Sequence, residues 1–151
     1  SGLFSRRGYN IDSLSVGETE DPKVSRMTIV VRGDDYILEQ IKKQLNKLID
    51  VIKIVEVNPQ QSVFRELAMI KVNTTMETRA SVIEIVSIFR ANIVDVSSET
   101  LTVEMTGDES KIEAFINLMN NYGIAEVVRT GLAAIERGSK QIKNQKVNEE
   151  E

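Results

Sequence analysis

The sequence predicts an α+β chain in which one β-α-β-β-α-β unit occurs twice, the first time without its opening strand. Three observations predict it. Segments that alternate apolar and polar residues are interleaved with segments whose apolar residues recur at i, i+3/i+4 and i+7. The dipeptide Gly-Asp punctuates both halves at the same point, as Gly33-Asp34 and Gly107-Asp108. When these dipeptides are laid over each other, Leu38 falls on Ile112, Ile41 on Phe115, Leu45 on Met119, Leu48 on Tyr122 and Ile54 on Val128. Any two amphipathic helices share a stripe in some register, but here the flanking strands match as well.

Taken in order, Gly8 after Arg6-Arg7 suits a helix end, because basic side chains favour the negative end of the dipole and glycine takes the left-handed cap. Residues 10–17 then read as a strand and 17–23, polar and holding Pro22, as a hairpin loop. Residues 25–32 alternate, with Met27, Ile29 and Val31 on one face. Asp34 is a good N-cap for a helix of about four turns carrying Ile41, Leu45 and Leu48 on its stripe. Residues 51–57 are predicted as the next strand, and 58–62 as a linker.

In the second half 64–72 is a strand, and Thr74-Thr75-Met76-Glu77 has the form of a capping box. The helix after it places Val82, Ile85, Val86 and Phe89 on one face. Residues 92–97 and 100–106 make a hairpin, Leu101, Val103 and Met105 alternating with Thr102, Glu104 and Thr106. Gly107-Asp108 opens another helix, and 124–130 is the last strand. This is the element order of the ferredoxin-like unit. The predicted domains are 1–58, a linker at 59–63, a second domain at 64–137, and a polar tail at 138–151 expected to be disordered. The first domain lacks its opening strand and most of its first helix, so about twenty further residues are expected ahead of Ser1.

The chemistry available is narrow. Of 151 residues, 41% are apolar and 28% charged, with no Cys and no His. That removes thiolate nucleophiles, thiolate metal sites and the commonest general base and metal ligand. No apolar run approaches the roughly 18 to 20 residues that span a bilayer. The net charge of −4, carried by the second half, argues against counterion-releasing contacts with nucleic acid. No glycine-rich phosphate loop and no catalytic constellation is visible. Glu18, Glu20 and Asp21 crowd the hairpin loop, but their spacing is not that of a calcium loop and a solvated turn explains them better. Neither a metal nor a cofactor is expected.

Two features point to a partner and a ligand. A ferredoxin-like sheet is covered by helices on one face only, yet here both faces of 51–57 carry branched apolar residues, and Val30 points away from Ile29 and Val31. An apolar open face predicts a second sheet or a second chain. Asn10, where the first strand begins, is open to two readings: a turn residue, or a side-chain amide that both donates and accepts and so can read an amino-acid ligand. Alternation puts Asn10 on the side of Leu14 and Val16, and Ile11 on the side of Ser13 and Ser15; phase alone selects neither reading.

The stretches "GLFSRRGYNIDSLSVGETEDPKVSRMTIVV" and "LEQIKKQLNKLIDVIKI" resemble the N-terminal ACT domain of the acetolactate synthase (acetohydroxyacid synthase) small, regulatory subunits, and "RELAMIKV", "KIEAFI" and "EVVRTGLAAIERG" resemble that family's C-terminal domain. The resemblance runs from residue 2 to about 138. It implies a non-catalytic, cytoplasmic subunit that binds and activates a thiamine-diphosphate-dependent catalytic subunit and confers feedback inhibition by valine in branched-chain amino-acid synthesis. It further implies a homodimer through ACT domains, with valine at the interface between the loop after the first strand of one chain and the start of the second strand of its partner. That second wall maps onto Asn10 and Ile11, with Gly17 a lesser neighbour. The first-strand loop has no counterpart here. A free-standing amino-acid-sensing module, such as the effector domain of a transcriptional regulator, is the alternative; the sequence shows no DNA-reading segment for it.

Overall fold

The computed structural model describes residues 10–145. These divide into two compact units, 10–63 with 134–145, and 64–133. The helix end expected before Gly8 lies outside the described residues.

In the first unit β1 (Ile11–Glu18) and β2 (Ser25–Val31) form an antiparallel ladder with Leu14 opposite Ile29 and Val16 opposite Met27. The connecting loop is tied internally. Thr19 Oγ1 donates to Val24 O at 2.9 Å, and Asp21 Oδ1 accepts from Lys23 N at 3.0 Å, the short-range bond that makes Asp a turn residue. α1 (Asp35–Asn46) begins where the sequence predicts, with Asp34 in extended backbone accepting from Ile37 N at 3.0 Å. Ile41 is buried, and Leu38 and Leu45 are half-buried.

Residues 51–57, expected as a strand, form no ladder. Alternating branched residues specify an extended segment with faces to bury, but a strand also needs a neighbour to bond its backbone groups. Among the described residues β1 and β2 form a two-stranded sheet, and no strand pairs with 51–57. Val51, Ile54, Val55 and Val57 are still half-buried, whereas Ile52 is exposed, so of the two apolar faces expected here one is covered and the other only at Ile54. Asn58 Oδ1 then accepts from Gln60 N and starts a 3₁₀ turn at Pro59–Gln61.

The second unit contains all six elements: β3 (Ser62–Asn73), α2 (Arg79–Ile88), β4 (Asn92–Val96), β5 (Thr100–Gly107), α3 (Glu109–Met119) and β6 (Ile124–Arg129). Its strands lie in the order β4-β5-β3-β6, all antiparallel, which is ferredoxin-like topology. Alternate residues Ala68, Ile70 and Val72 of β3 and Leu101, Val103 and Met105 of β5 are buried with Val82 and Val86 of α2 and Ile112, Phe115 and Met119 of α3. Phe89 meets Phe115 edge to face, with centroids 5.3 Å apart. The matched stripe is therefore the core-facing one in the second unit; in the first, Ile41 is buried, Leu38 and Leu45 are half-buried and Leu48 is exposed.

The capping box before α2 is displaced by one residue from its expected place. Thr75 N donates to Thr78 Oγ1 at 2.9 Å and Thr78 N to Thr75 Oγ1 at 3.2 Å, a reciprocal pair that leaves Glu77 exposed. Helix α2 also ends without a glycine: Arg90 takes φ 55, and Ala91 N closes the turn onto Val86 O at 3.0 Å. At the turn into β6, by contrast, Gly123 adopts φ 99, and a Cβ there would lie 3.0 Å from Asn73 Nδ2.

After β6 the chain returns to the first unit. β7 (Ala133–Glu136) lies beside the start of β3, and Arg137 N donates to Gln61 O at 2.9 Å. Arg26 Nη2 donates to Ala134 O at 2.9 Å and Ala134 N donates to Thr28 Oγ1 at 3.4 Å, so β7 is held against β2. The polar residues beyond it contain a 3₁₀ turn at Ile142–Asn144; the Gln145 side chain donates to Glu136, and Lys53 Nζ donates to Gln145 O.

Two predictions follow from these helix ends. Arg90→Gly relieves a left-handed backbone at the cost of a more flexible unfolded chain, and raises the unfolding free energy by roughly 0.5 kcal/mol in urea denaturation. At Asp108, the backbone hydrogen bond from Lys111 and the side-chain bond from Ser110 hold the carboxyl below its ordinary 3.8. Its contribution is therefore present above the unfolded value and is lost as pH falls through the lower folded value. An NMR titration of the Asp108 carboxyl carbon should show its midpoint below 3.8.

Candidate functional site

The polar groups at the start of β1 are positioned by an irregularity in the ladder. Ile11 lies opposite Val31 but Ser13 lies opposite Val30, two steps on β1 against one on β2, so Asp12 is the extra residue of a β-bulge. Beyond this the pairing continues, with Arg32 N donating to Asn10 O at 3.2 Å. Residues directly opposite in an antiparallel ladder present their side chains to the same face. Ile11 therefore shares a face with Val31, Ile29, Leu14, Met27 and Val16. Asn10 and Arg32 share the other, with Val30 and Ser13.

This reverses the expected phase. Strict alternation placed Asn10 with Leu14 and Val16, and Ile11 with Ser13 and Ser15; the inserted residue shifts everything before it to the opposite face. Asn10 is exposed and Ile11 half-buried. Gly17 stands opposite Arg26, seven residues along the same strand from Asn10, or roughly 23 Å at extended spacing. Nothing lies within 4 Å of a Cβ built on it. Asn10 and Ile11 are thus adjacent along the strand with their side chains on opposite faces, and Gly17 lies apart.

The bulge also brings in a residue the sequence reading passed over. Arg32 Nε donates to Asp12 Oδ2 at 2.7 Å, with the arginine side chain 76% exposed and the aspartate 32%. An amide, a carboxylate and a guanidinium are thereby gathered at one end of the ladder. The signal for Asp12 was present but ambiguous: an acid interrupting the stripe of Leu14 and Val16 marks either a turn or a bulge.

A second charged cluster belongs to the framework. Arg129 donates through Nε to Glu66 Oε1 at 2.8 Å, through Nη2 to the same oxygen, and through Nη1 to Glu113 Oε1 at 2.8 Å. Burial works against the charge of Arg129, but its bonds to Glu113 and Glu66 hold the guanidinium above its ordinary value. The cluster ties β3 and β6 to α3. Among the described residues no group of three or more His, Cys, Asp or Glu is arranged to hold a metal ion.

The second unit has ferredoxin-like topology, a fold that ACT domains share with many other proteins, so the class is set by sequence profiles. The profile of the AHAS small-subunit-like ACT domain matches residues 1–53, and the profile for the small subunit of acetolactate synthase matches 65–138. This chain belongs to the acetolactate synthase small-subunit family. It is 55% identical to a probable acetolactate synthase small subunit of Methanothermobacter thermautotrophicus, over 93% of this chain and 84% of that one. It is also 55% identical to the acetolactate synthase small subunit of Mycolicibacterium smegmatis, over 94% of this chain and 84% of that one. The crystal structure of the Thermotoga maritima small subunit superposes with a TM-score of 0.83 at 45% identity, covering 92% of this chain and 87% of the other.

The framework role of the cluster in the second unit is directly measurable. Glu66 is 5% exposed, and Glu66→Ala removes two of the three bonds described for Arg129, leaving the one to Glu113. A loss of about 3 kcal/mol in unfolding free energy is expected, the low end for a buried pair because Arg129 is partly exposed.

Proposed function

We propose that this chain is the non-catalytic regulatory subunit of an acetolactate synthase. It binds a thiamine-diphosphate-dependent catalytic subunit, raises its activity and makes it sensitive to valine. The observation that carries the reading is the match to both domains of the family in order, together with the polar groups gathered at the β1 start where the resemblance puts one wall of the effector site. The cofactor belongs to the catalytic partner; this chain needs none for its role.

The geometry supports an effector wall made of one side chain and one stretch of backbone. Asn10 has its amide free of the core on an exposed position. Its carbonyl is engaged by Arg32, and backbone groups alternate edges along a strand, so those of Ile11 face the outer edge of β1. No strand pairs with that edge among the described residues. A second ACT domain bringing the opposite wall would meet valine there, and Leu14, Val16 and Met27, all at least 40% exposed, give such a homodimer apolar surface to cover.

Inhibition then follows from linkage. Valine bridging two chains favours the paired geometry in which both walls are in place, and shifts the catalytic subunit only by its differential affinity for that geometry. Coupling of about 1–3 kcal/mol is the usual size of such an effect.

Asn10→Ala should abolish valine inhibition while leaving activation of the catalytic subunit intact. The check is calorimetric titration of valine into the intact protein, paired with an activity assay of the reconstituted enzyme. Loss of inhibition and activation together would assign Asn10 to folding, and absence of heat with the unaltered protein would remove valine as the effector.

A further inference from the structure

We propose that Asp12 reads the ammonium group of an α-amino-acid effector and that Arg32 is its positioning residue. The inference rests on the effector reading of Asn10 and Ile11 and assigns charge recognition within that site. An α-amino acid brings an ammonium and a carboxylate, whereas Asn10 and Ile11 carry no charge. An ammonium moved out of water needs a counter-charge or several good acceptors. Asn10 offers one amide oxygen and Ile11 one backbone carbonyl, both neutral.

Asp12 stands two residues from Asn10, and the bulge that contains it is the irregularity in the β1–β2 ladder. A bulge costs ladder bonds and re-aims a side chain. Here it presents the carboxylate toward Arg32, which lies directly across from Asn10. The ion pair is a poor reason for the bulge on stability grounds, since a guanidinium 76% exposed contributes little to folding. It is a good reason on positional grounds. Arg32 engages Oδ2 through Nε, fixing the carboxylate's orientation, and a carboxylate has further lone pairs from which to accept an ammonium.

Asp12 is also partly shielded, with its side chain 32% exposed. A charge contact there is less screened than one in open solvent. The arrangement combines a neutral amide for hydrogen-bond geometry with a clamped carboxylate for charge, both at the same strand end.

The test compares L-valine with (S)-2-hydroxyisovalerate, in which a hydroxyl replaces the ammonium, by calorimetry on the full-length chain. The unaltered protein should prefer valine by about 10- to 100-fold, the range a charge-assisted hydrogen bond supplies. Asp12→Asn should bring the two ligands to within about threefold of each other by weakening valine alone. Arg32→Gln should reduce the preference partially, and Arg32→Lys should restore part of it. If the unaltered protein binds valine and Asp12→Asn keeps the full preference, Asp12 does not read the ammonium and the inference is overturned. If the unaltered protein binds neither ligand, the effector reading falls first. Should Asp12→Asn melt below the assay temperature, the ligand preference of Arg32→Gln decides, an unchanged ratio counting against the inference.

Discussion

The antiparallel ladder between β1 and β2 is the constraint on which the first unit depends. Its register decides which side chains share a face, and because side chains alternate with period two, one inserted residue moves everything beyond it to the opposite side. Asp12 is that residue. It leaves Leu14, Val16, Met27 and Ile29 as a continuous apolar face, adds Ile11 to it, and transfers Asn10 to the face that holds Arg32. The same ladder anchors the returning chain, since Arg26 and Thr28 of β2 hold Ala134.

The second unit shows what the repeated pattern becomes when every strand has a neighbour. β3 lies between β5 and β6 and bonds to both, and its inward residues Ala68, Ile70 and Val72 are wholly buried. Ile112, Phe115 and Met119 are equally buried, whereas of their counterparts Leu38, Ile41 and Leu45 only Ile41 is. The helical stripe is the same in kind. What differs among the described residues is the paired sheet: β1 with β2 in the first unit, against the four strands β4-β5-β3-β6 in the second.

A chain with no histidine and no cysteine lacks the commonest general base and any thiolate nucleophile. On the proposed reading it needs only a ligand whose affinity differs between two arrangements of the chain, and a partner that senses the difference. On that reading, polar groups at a strand end serve the purpose: backbone, amide and carboxylate lie close together, at an edge with which no strand pairs among the described residues.

The sequence by itself determined the α+β class, the repeated unit, the helix starts at Asp34 and Asp108, and the inward residues of β3, β5 and α3. It could do so because each depends on local periodicity or on a side chain reaching its own backbone within a few residues. Family membership was legible for a related reason: the segments around Asn10 and Arg129 lie in the resembling order along the chain. Tertiary structure alone decided the bulge at Asp12, the pairing of Asp12 with Arg32, the return of β7 to β2, and the lack of a ladder at 51–57. Each of these is a relation between residues distant in sequence. An apolar alternating segment announces a face to bury, but only its neighbours in space determine whether its backbone is paired, and to which side a given side chain points.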